Sequence, residues 1–145
     1  MKHMSRIIKF RVWDKKFRIM YGDGISVQGD GTFYLERADH DGNEIEIVES
    51  EHGELVLMQF TGLLDKNGKE IWEGDVVAIS GMYDPETGQT GTDLCEVKYE
   101  GPSLMYVRVD GGDKNSVESL IGVCSQDEDA EVIGNIHENP ELLKP

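Results

Sequence analysis

Met58-Gln-Phe-Thr-Gly-Leu-Leu-Asp-Lys-Asn-Gly-Lys-Glu-Ile-Trp-Glu-Gly-Asp-Val-Val-Ala-Ile79 is the stretch whose reading decides the fold. It opens as a strand and breaks at Gly62. Asn67-Gly68, flanked by lysines, is a tight-turn signal because both residues tolerate positive φ. The turn brings Phe60–Leu64 back against Glu70–Trp72, with Ile71 and Trp72 as apolar anchors. Gly74-Asp75 then bends the chain into a second strand, Val76–Ile79. Asp75 suits that corner because a short acid can accept hydrogen bonds from loop amides.

Outward from this stretch the pattern is β throughout. In Ile7–Trp13, Ile8, Phe10 and Val12 alternate with Lys9 and Arg11, the period of a half-buried strand. Asp14-Lys15-Lys16 reads as a turn, and Phe17, Ile19 and Tyr21 as one face of the returning strand. Short strands follow at Ile25–Gln28, at Thr32–Glu36 and at Ile45–Ile47, where the isoleucines alternate with Glu44 and Glu46. Turn clusters separate them at the spacing of an all-β domain. Beyond the central stretch, Val76–Ile79, Glu96–Tyr99, Leu104–Val109, Leu120–Cys124 and Val132–Ile136 read as five strands. Ser116–Cys124 fits a short helix nearly as well. Gly81–Asp93 reads as a long polar, mobile loop and a plausible contact surface. Pro140–Leu143 reads as a single helical turn capped by Asn139.

Phe60–Val76 resembles the hallmark of the YopX family of bacteriophage and prophage proteins. Ile8-Lys-Phe-Arg-Val-Trp-Asp14 is similar to the family's opening strand. Glu131-Val-Ile-Gly-Asn-Ile-His-Glu-Asn-Pro-Glu-Leu-Leu143 is similar to its closing segment. Trp72 and His137 stand where tyrosine is expected, and Leu64 where a polar residue is. The resemblance implies a mainly β protein with an SH3-like small β-barrel in the C-terminal half and a β-rich N-terminal region. Residues 1–57 and 58–145 are the corresponding regions, either separate or sharing one core. Gly62, Asn67, Gly68, Gly74, Asp75, Gly134 and Asn135 are read as structural-motif positions. Five short strands closing on themselves would also remove the exposed edges of a flat sheet.

Charge is the strongest compositional signal. The chain carries 29 acidic against 14 basic side chains, a formal charge of −15. Residues 1–18 hold seven cations (Lys2, Arg6, Lys9, Arg11, Lys15, Lys16 and Arg18) against Asp14 alone, or +6. The remainder holds seven cations against 28 acids, or −21. So acidic a surface repels phosphate backbones, which disfavours a general nucleic-acid binder. No apolar run is long enough to cross a bilayer as a helix. Cys95 and Cys124 lack metal-ligand partners at suitable spacing and read as buried thiols of a reducing compartment, the bacterial host cytoplasm.

Chemistry is hard to find. Asp39-His-Asp-Gly-Asn43 lacks the glycine position and terminal acid of a calcium loop. His137 has no companion ligands, Asp127-Glu-Asp129 reads as a solvated loop, and no nucleophile elbow is present. No cofactor, no metal and no catalytic residue are expected, and the chain is not read as an enzyme. Trp72, Tyr83, Tyr99 and Tyr106 either pack the barrel or line an aromatic groove that binds a protein. Trp72 and Tyr83, with Lys9, Arg11 and Arg18 of the basic hairpin, are the candidate interaction residues. The leading expectation is a non-enzymatic module that binds a protein partner, a second copy included, with the +6 and −21 regions meeting across the interface. One alternative is an acidic mimic of nucleic acid that blocks a DNA-binding enzyme. Another is direct nucleic-acid binding by the hairpin, with Trp13 and Phe17 stacking on bases. If Trp72 is buried, Trp72→Ala costs roughly 3–5 kcal/mol; an exposed Trp72 leaves the melting temperature nearly unchanged.

Overall fold

A computed structural model describes residues 7–39, 41–50, 53–100, 103–108, 118–119 and 130–143, with backbone alone at 81–84, 100, 103–108 and 118–119. Among the described residues twelve strands run in order: β1 (Phe10–Asp14), β2 (Ile19–Tyr21), β3 (Ile25–Val27), β4 (Phe33–Ala38), β5 (Ile45–Glu49), β6 (Leu55–Leu64), β7 (Glu70–Trp72), β8 (Asp75–Asp84), β9 (Gln89–Glu100), β10 (Ser103–Arg108), β11 (Glu118–Ser119) and β12 (Ala130–Asn135). A 3-10 turn, Pro140–Leu143, follows. The protein is mainly β. It divides into two compact units, Ile8–Gln59 and a second made chiefly of Phe60–Pro145. The chain passes from one to the other within β6.

In the N-terminal unit β1 lies between β2 and the first half of β6, paired antiparallel to both. β3, β4 and β5 form a separate antiparallel sheet in that order. Val12, Phe33, Leu35 and Leu55 make the core, with Tyr21, Ile25, Val48 and Leu57 packed against it. Two expectations change here, and the facing of β5, which alternation leaves open, is decided. Val12, Trp13 and Asp14 are all buried, so the end of β1 is covered on both faces instead of half-buried. Phe17 belongs to the turn, and the return strand starts at Ile19. In β5, Ile45 and Ile47 are 76% and 65% exposed, while Glu46 takes an inward position beside the buried Arg37. Glu46 there accepts from Arg37 Nε at 2.8 Å, a buried donor that an isoleucine on the same face would leave unsatisfied.

The C-terminal unit holds an antiparallel five-stranded sheet in the order β11-β10-β9-β8-β12. Its core is Ile71, Val77, Ile79, Cys95, Val97, Ala130 and Val132, with Leu63 and Tyr99 at the margin. Cys95 is a buried thiol, as expected; Cys124 lies outside the described residues, as does Asp127–Asp129. Four of the five expected strands are present as β8, β9, β10 and β12. In Ser116–Cys124, Glu118–Ser119 is strand, paired to Met105 and Tyr106, and the remainder lies outside the described residues. The mobile loop expected at Gly81–Asp93 is instead a long hairpin: Met82, Tyr83 and Asp84 pair with Gly91, Thr90 and Gln89 around Pro85–Gly88. Residues 85–92 are exposed, so the β9 arm there has no apolar stripe to betray it, although backbone pairing and β-branched threonines suffice to extend it.

The Asn67-Gly68 turn is present with a different geometry. Gly68 has φ 80°, whereas Asn67 does not adopt positive φ. The Asp65 carbonyl accepts from Gly68 N–H at 3.0 Å and Asp65 N–H donates to the Lys69 carbonyl at 2.8 Å. This is a three-residue hairpin loop whose last residue alone needs glycine. Asp65 holds it. Its Oδ1 accepts from Asn67 N–H and Lys69 N–H, each at 2.9 Å, and its Oδ2 accepts from Val132 N–H of β12 at 2.9 Å. Gly62, φ 86°, sits in a bulge that keeps β6 continuous where a break is expected, and Thr61 Oγ1 donates there to the Ile71 carbonyl at 2.6 Å. Asp75 accepts from Trp72 N–H at 2.8 Å, in the corner role expected of it. Buried Gly74 donates to the Val97 carbonyl and accepts from Ile136 N–H.

At the end of β12, Asn135 Oδ1 accepts from His137 and Glu138 amides at 3.0 and 2.8 Å. A Cβ at Gly134 would lie 2.4 Å from Asn139 Oδ1. Asn139 turns that oxygen back to Asn135 N–H at 3.2 Å, so its side chain does not cap the 3-10 turn as expected; its carbonyl does, accepting from Leu142 N–H at 3.0 Å.

Burial pushes the Asp65 carboxyl up, but the amides of Val132, Lys69 and Asn67 together with the Lys69 charge outweigh it and hold its pKa below the ordinary carboxylate value. A lowered folded pKa means the stabilisation is complete above the ordinary value and disappears as pH falls through the folded one. Asp65→Asn should therefore cost about 1–3 kcal/mol at pH 7, because one amide then faces an –NH2 group. Urea midpoints measured from pH 7 to pH 3 should show the gap between variant and wild type closing as the medium becomes acidic.

Candidate protein-interaction surface

The basic hairpin supplies the best-defined surface feature. Lys15, Lys16, Phe17 and Arg18 are all exposed in the turn between β1 and β2. Their backbone is held from below. Asp14, fully buried, accepts from Lys16 N–H at 2.9 Å and from Phe17 N–H at 3.2 Å through Oδ1, and from Arg18 N–H at 2.8 Å through its carbonyl. Lys15 N–H donates to the Glu54 carbonyl at 2.8 Å. Arg18 has φ 57°, uncommon for a residue with a Cβ. A turn so tied holds its backbone in one conformation, which lowers the entropy cost of docking.

The other carboxylate oxygen of Asp14 is ion-paired with Arg37 Nη1. The Arg37 side chain is only 5% exposed, and its Nε donates to Glu46 Oε1 at 2.8 Å. The guanidinium carbon lies 4.6 Å from the centre of the Phe17 ring, and Lys16 Nζ 5.5 Å from it. Arg18 stands 5.9 Å from the Trp13 ring. Such cation–ring contacts are worth about 0.5–2 kcal/mol each, depending on desolvation. Burial and the neighbouring Glu46 charge raise the Tyr21 phenol above its ordinary value.

Arg37 and Asp14 are the residues that sequence reasoning missed, although the signal was present. Phe33, Leu35 and Arg37 are successive inward positions of β4, and Phe10, Val12 and Asp14 of β1. Each apolar stripe ends on a charge of opposite sign.

The expected interaction residues fall in different places. Arg18 is exposed at the tip, while Lys9 and Arg11 are half-buried at the start of β1. Trp72 is half-buried, its ring centre 5.4 Å from that of Phe60 at 57°. Its truncation should thus cost about 1–2 kcal/mol, between the two expectations. Tyr99 packs against the C-terminal core. The side chains of Tyr83 and Tyr106 lie outside the described residues. Trp13, 5% exposed, cannot stack on a base, which leaves Phe17, 38% exposed. Among the described residues no three His, Cys, Asp or Glu side chains gather as a metal site. No helix among them is long and apolar enough to cross a membrane.

A family model described as YopX protein matches residues 9–144. The chain belongs to the YopX family. The crystal structure of protein EF1440 from Enterococcus faecalis is similar to it, with a TM-score of 0.60 and 26% identity over 96% of this chain and 99% of that one. No curated protein matches. The hallmark stretch of this YopX-family chain carries the Asp65 loop and the Asp75 corner, and the opening strand ends on Asp14.

Removing one partner of the buried pair leaves the other charge stranded. Arg37→Ala should cost about 3–5 kcal/mol in chemical denaturation, whereas the double change Asp14→Asn with Arg37→Met should cost clearly less than the sum of the single changes.

Proposed function

We propose that this YopX-family protein is a phage- or prophage-encoded interaction module without catalytic activity, working in the host cytoplasm. It docks the tip Lys15–Arg18 onto an acidic protein surface, that of a second copy included. The observation that carries this reading is the anchored tip: three cations and a half-exposed ring, fixed by a buried carboxylate, on a chain whose remainder is strongly acidic. Complementary charge raises association rates and selects orientation, and a central aromatic residue supplies apolar contact. We read the C-terminal unit as an SH3-like small barrel, a reading supported by its antiparallel five-stranded sheet and the glycine corners at 62, 74 and 134. The long β8–β9 hairpin is then a rim feature of that barrel.

The test is the triple change Lys15→Glu, Lys16→Glu and Arg18→Glu. All three side chains are exposed, so the melting temperature should stay within a few degrees. Light scattering after size exclusion at low and high salt, with affinity capture from nuclease-treated host extract, should show assembly and captured proteins lost in the variant. An unchanged assembly state and an unchanged set of captured proteins would sink the proposal. Capture of nucleic acid in place of protein would transfer the tip to the hairpin-binding alternative.

A further inference from the structure

The second surface feature of the N-terminal unit is the outward face of β4 and β5. In β4 the buried positions are Phe33, Leu35 and Arg37, so Tyr34, Glu36 and Ala38 take the other face. The register sets Tyr34 opposite Glu49, Glu36 opposite Ile47 and Ala38 opposite Ile45, which places all six on that face. Ile45 and Ile47 are exposed, as are Glu36, Ala38 and Glu49, and Tyr34 is half-buried. The face is therefore an apolar strip flanked by two carboxylates, with no cation among these six residues. Neighbouring isoleucines left in water mark a surface that another molecule covers.

We propose that this face receives the Lys15–Arg18 tip of a second copy, with Phe17 against Ile45 and Ile47 and the three cations beside Glu36 and Glu49. The two surfaces match in pattern. The tip is one exposed ring among three positive charges, and the face is two exposed isoleucines between two negative ones. An apolar centre with a complementary charged rim is the usual anatomy of an interface. The contact cannot form within one chain. The Phe17 ring centre lies 4.6 Å from the Arg37 guanidinium carbon, and Arg37 is an inward residue of β4. The sheet itself therefore stands between a tip and the isoleucines of the same chain. Tip and face lie on opposite sides of that sheet and address different neighbours. The contact is head-to-tail, and it continues into a ring or an open chain instead of stopping at a pair.

This inference rests on the docking reading above and names the surface that the tip meets. Its test pairs the triple tip variant with a face variant, Glu36→Lys with Glu49→Lys, whose changes are also at exposed positions. Each variant alone should assemble about tenfold or more weakly than wild type in concentration-dependent light scattering at low salt, because like charges then meet. Mixed in equal amounts they should assemble again, since unchanged tip meets unchanged face and reversed tip meets reversed face. A third variant, Ile45→Ser with Ile47→Ser, keeps the tip and loses the face. Mixed with the tip variant it should form pairs and nothing larger, whereas wild type should pass two chains as concentration rises. No recovery in the first mixture, or a wild-type mass that levels off at two chains, would overturn the inference. Assembly lost in the tip variant but intact in the face variant would leave the docking reading standing and remove this one. A wild type monomeric at every concentration and salt would also remove it, while host proteins captured through the tip would keep the docking reading.

Discussion

A carboxylate cut off from water must bind a proton, sit against a cation or collect N–H donors, and in the N-terminal unit Asp14 sits against Arg37. Neither could stay charged and buried alone, since desolvating an isolated ion costs more than a small unit can spare. The pairing joins β1 to β4, whose inward residues Val12, Phe33 and Leu35 also meet in the apolar core. It also explains the facing of β5. Arg37 has more donors than Asp14 can accept, so Glu46 turns inward to take the Nε proton, and the neighbouring Ile45 and Ile47 are carried to the outside. One buried ion pair thus sets both exposed features of the unit, the basic tip above Asp14 and the apolar edge beyond Glu46.

The same device recurs in the C-terminal unit without an ion pair. Asp65 is buried at the end of β6, yet it is satisfied by three amides, two from its own loop and one from β12. A carboxylate holding N–H groups from segments 67 residues apart acts as a clamp between a hairpin and a distant strand. Asp75, Asn135 and Asn139 do similar work at the neighbouring corners. The glycines in the hallmark are tied to these clamps. Gly68 closes the Asp65 loop, Gly74 precedes Asp75, and Gly134 leaves room for Asn139. The most patterned part of the chain is patterned by turn chemistry, and for that reason its motif describes architecture and not a reaction.

The uneven charge of the chain acquires a geometry from this arrangement. Of the seven cations in the first eighteen residues, Lys15, Lys16 and Arg18 are brought together in one anchored turn. Lys9 and Arg11 are half-buried in the approach to it. Linear charge density alone would spread the basic character along a ribbon, whereas among the described residues the fold gathers three of its five cations in one turn and removes Trp13 from reach.

By itself the sequence determined the elements that local chemistry governs: the hairpins, the corners at Gly68, Gly74 and Asp75, the strands read at Val76–Ile79 and Val132–Ile136, and the family. Those follow from backbone preferences and from alternation, which need no distant partner. Tertiary structure alone decided what depends on residues far apart in the chain. It made Asp14 and Arg37 a buried pair, turned Ile45 and Ile47 outward, and extended β8 and β9 through Gly81–Asp93, where local polarity signals a loop. Alternation reports that a strand has two faces; apolar burial usually settles which is inward, but in β5 Glu46 faces the buried Arg37 and the isoleucines face out.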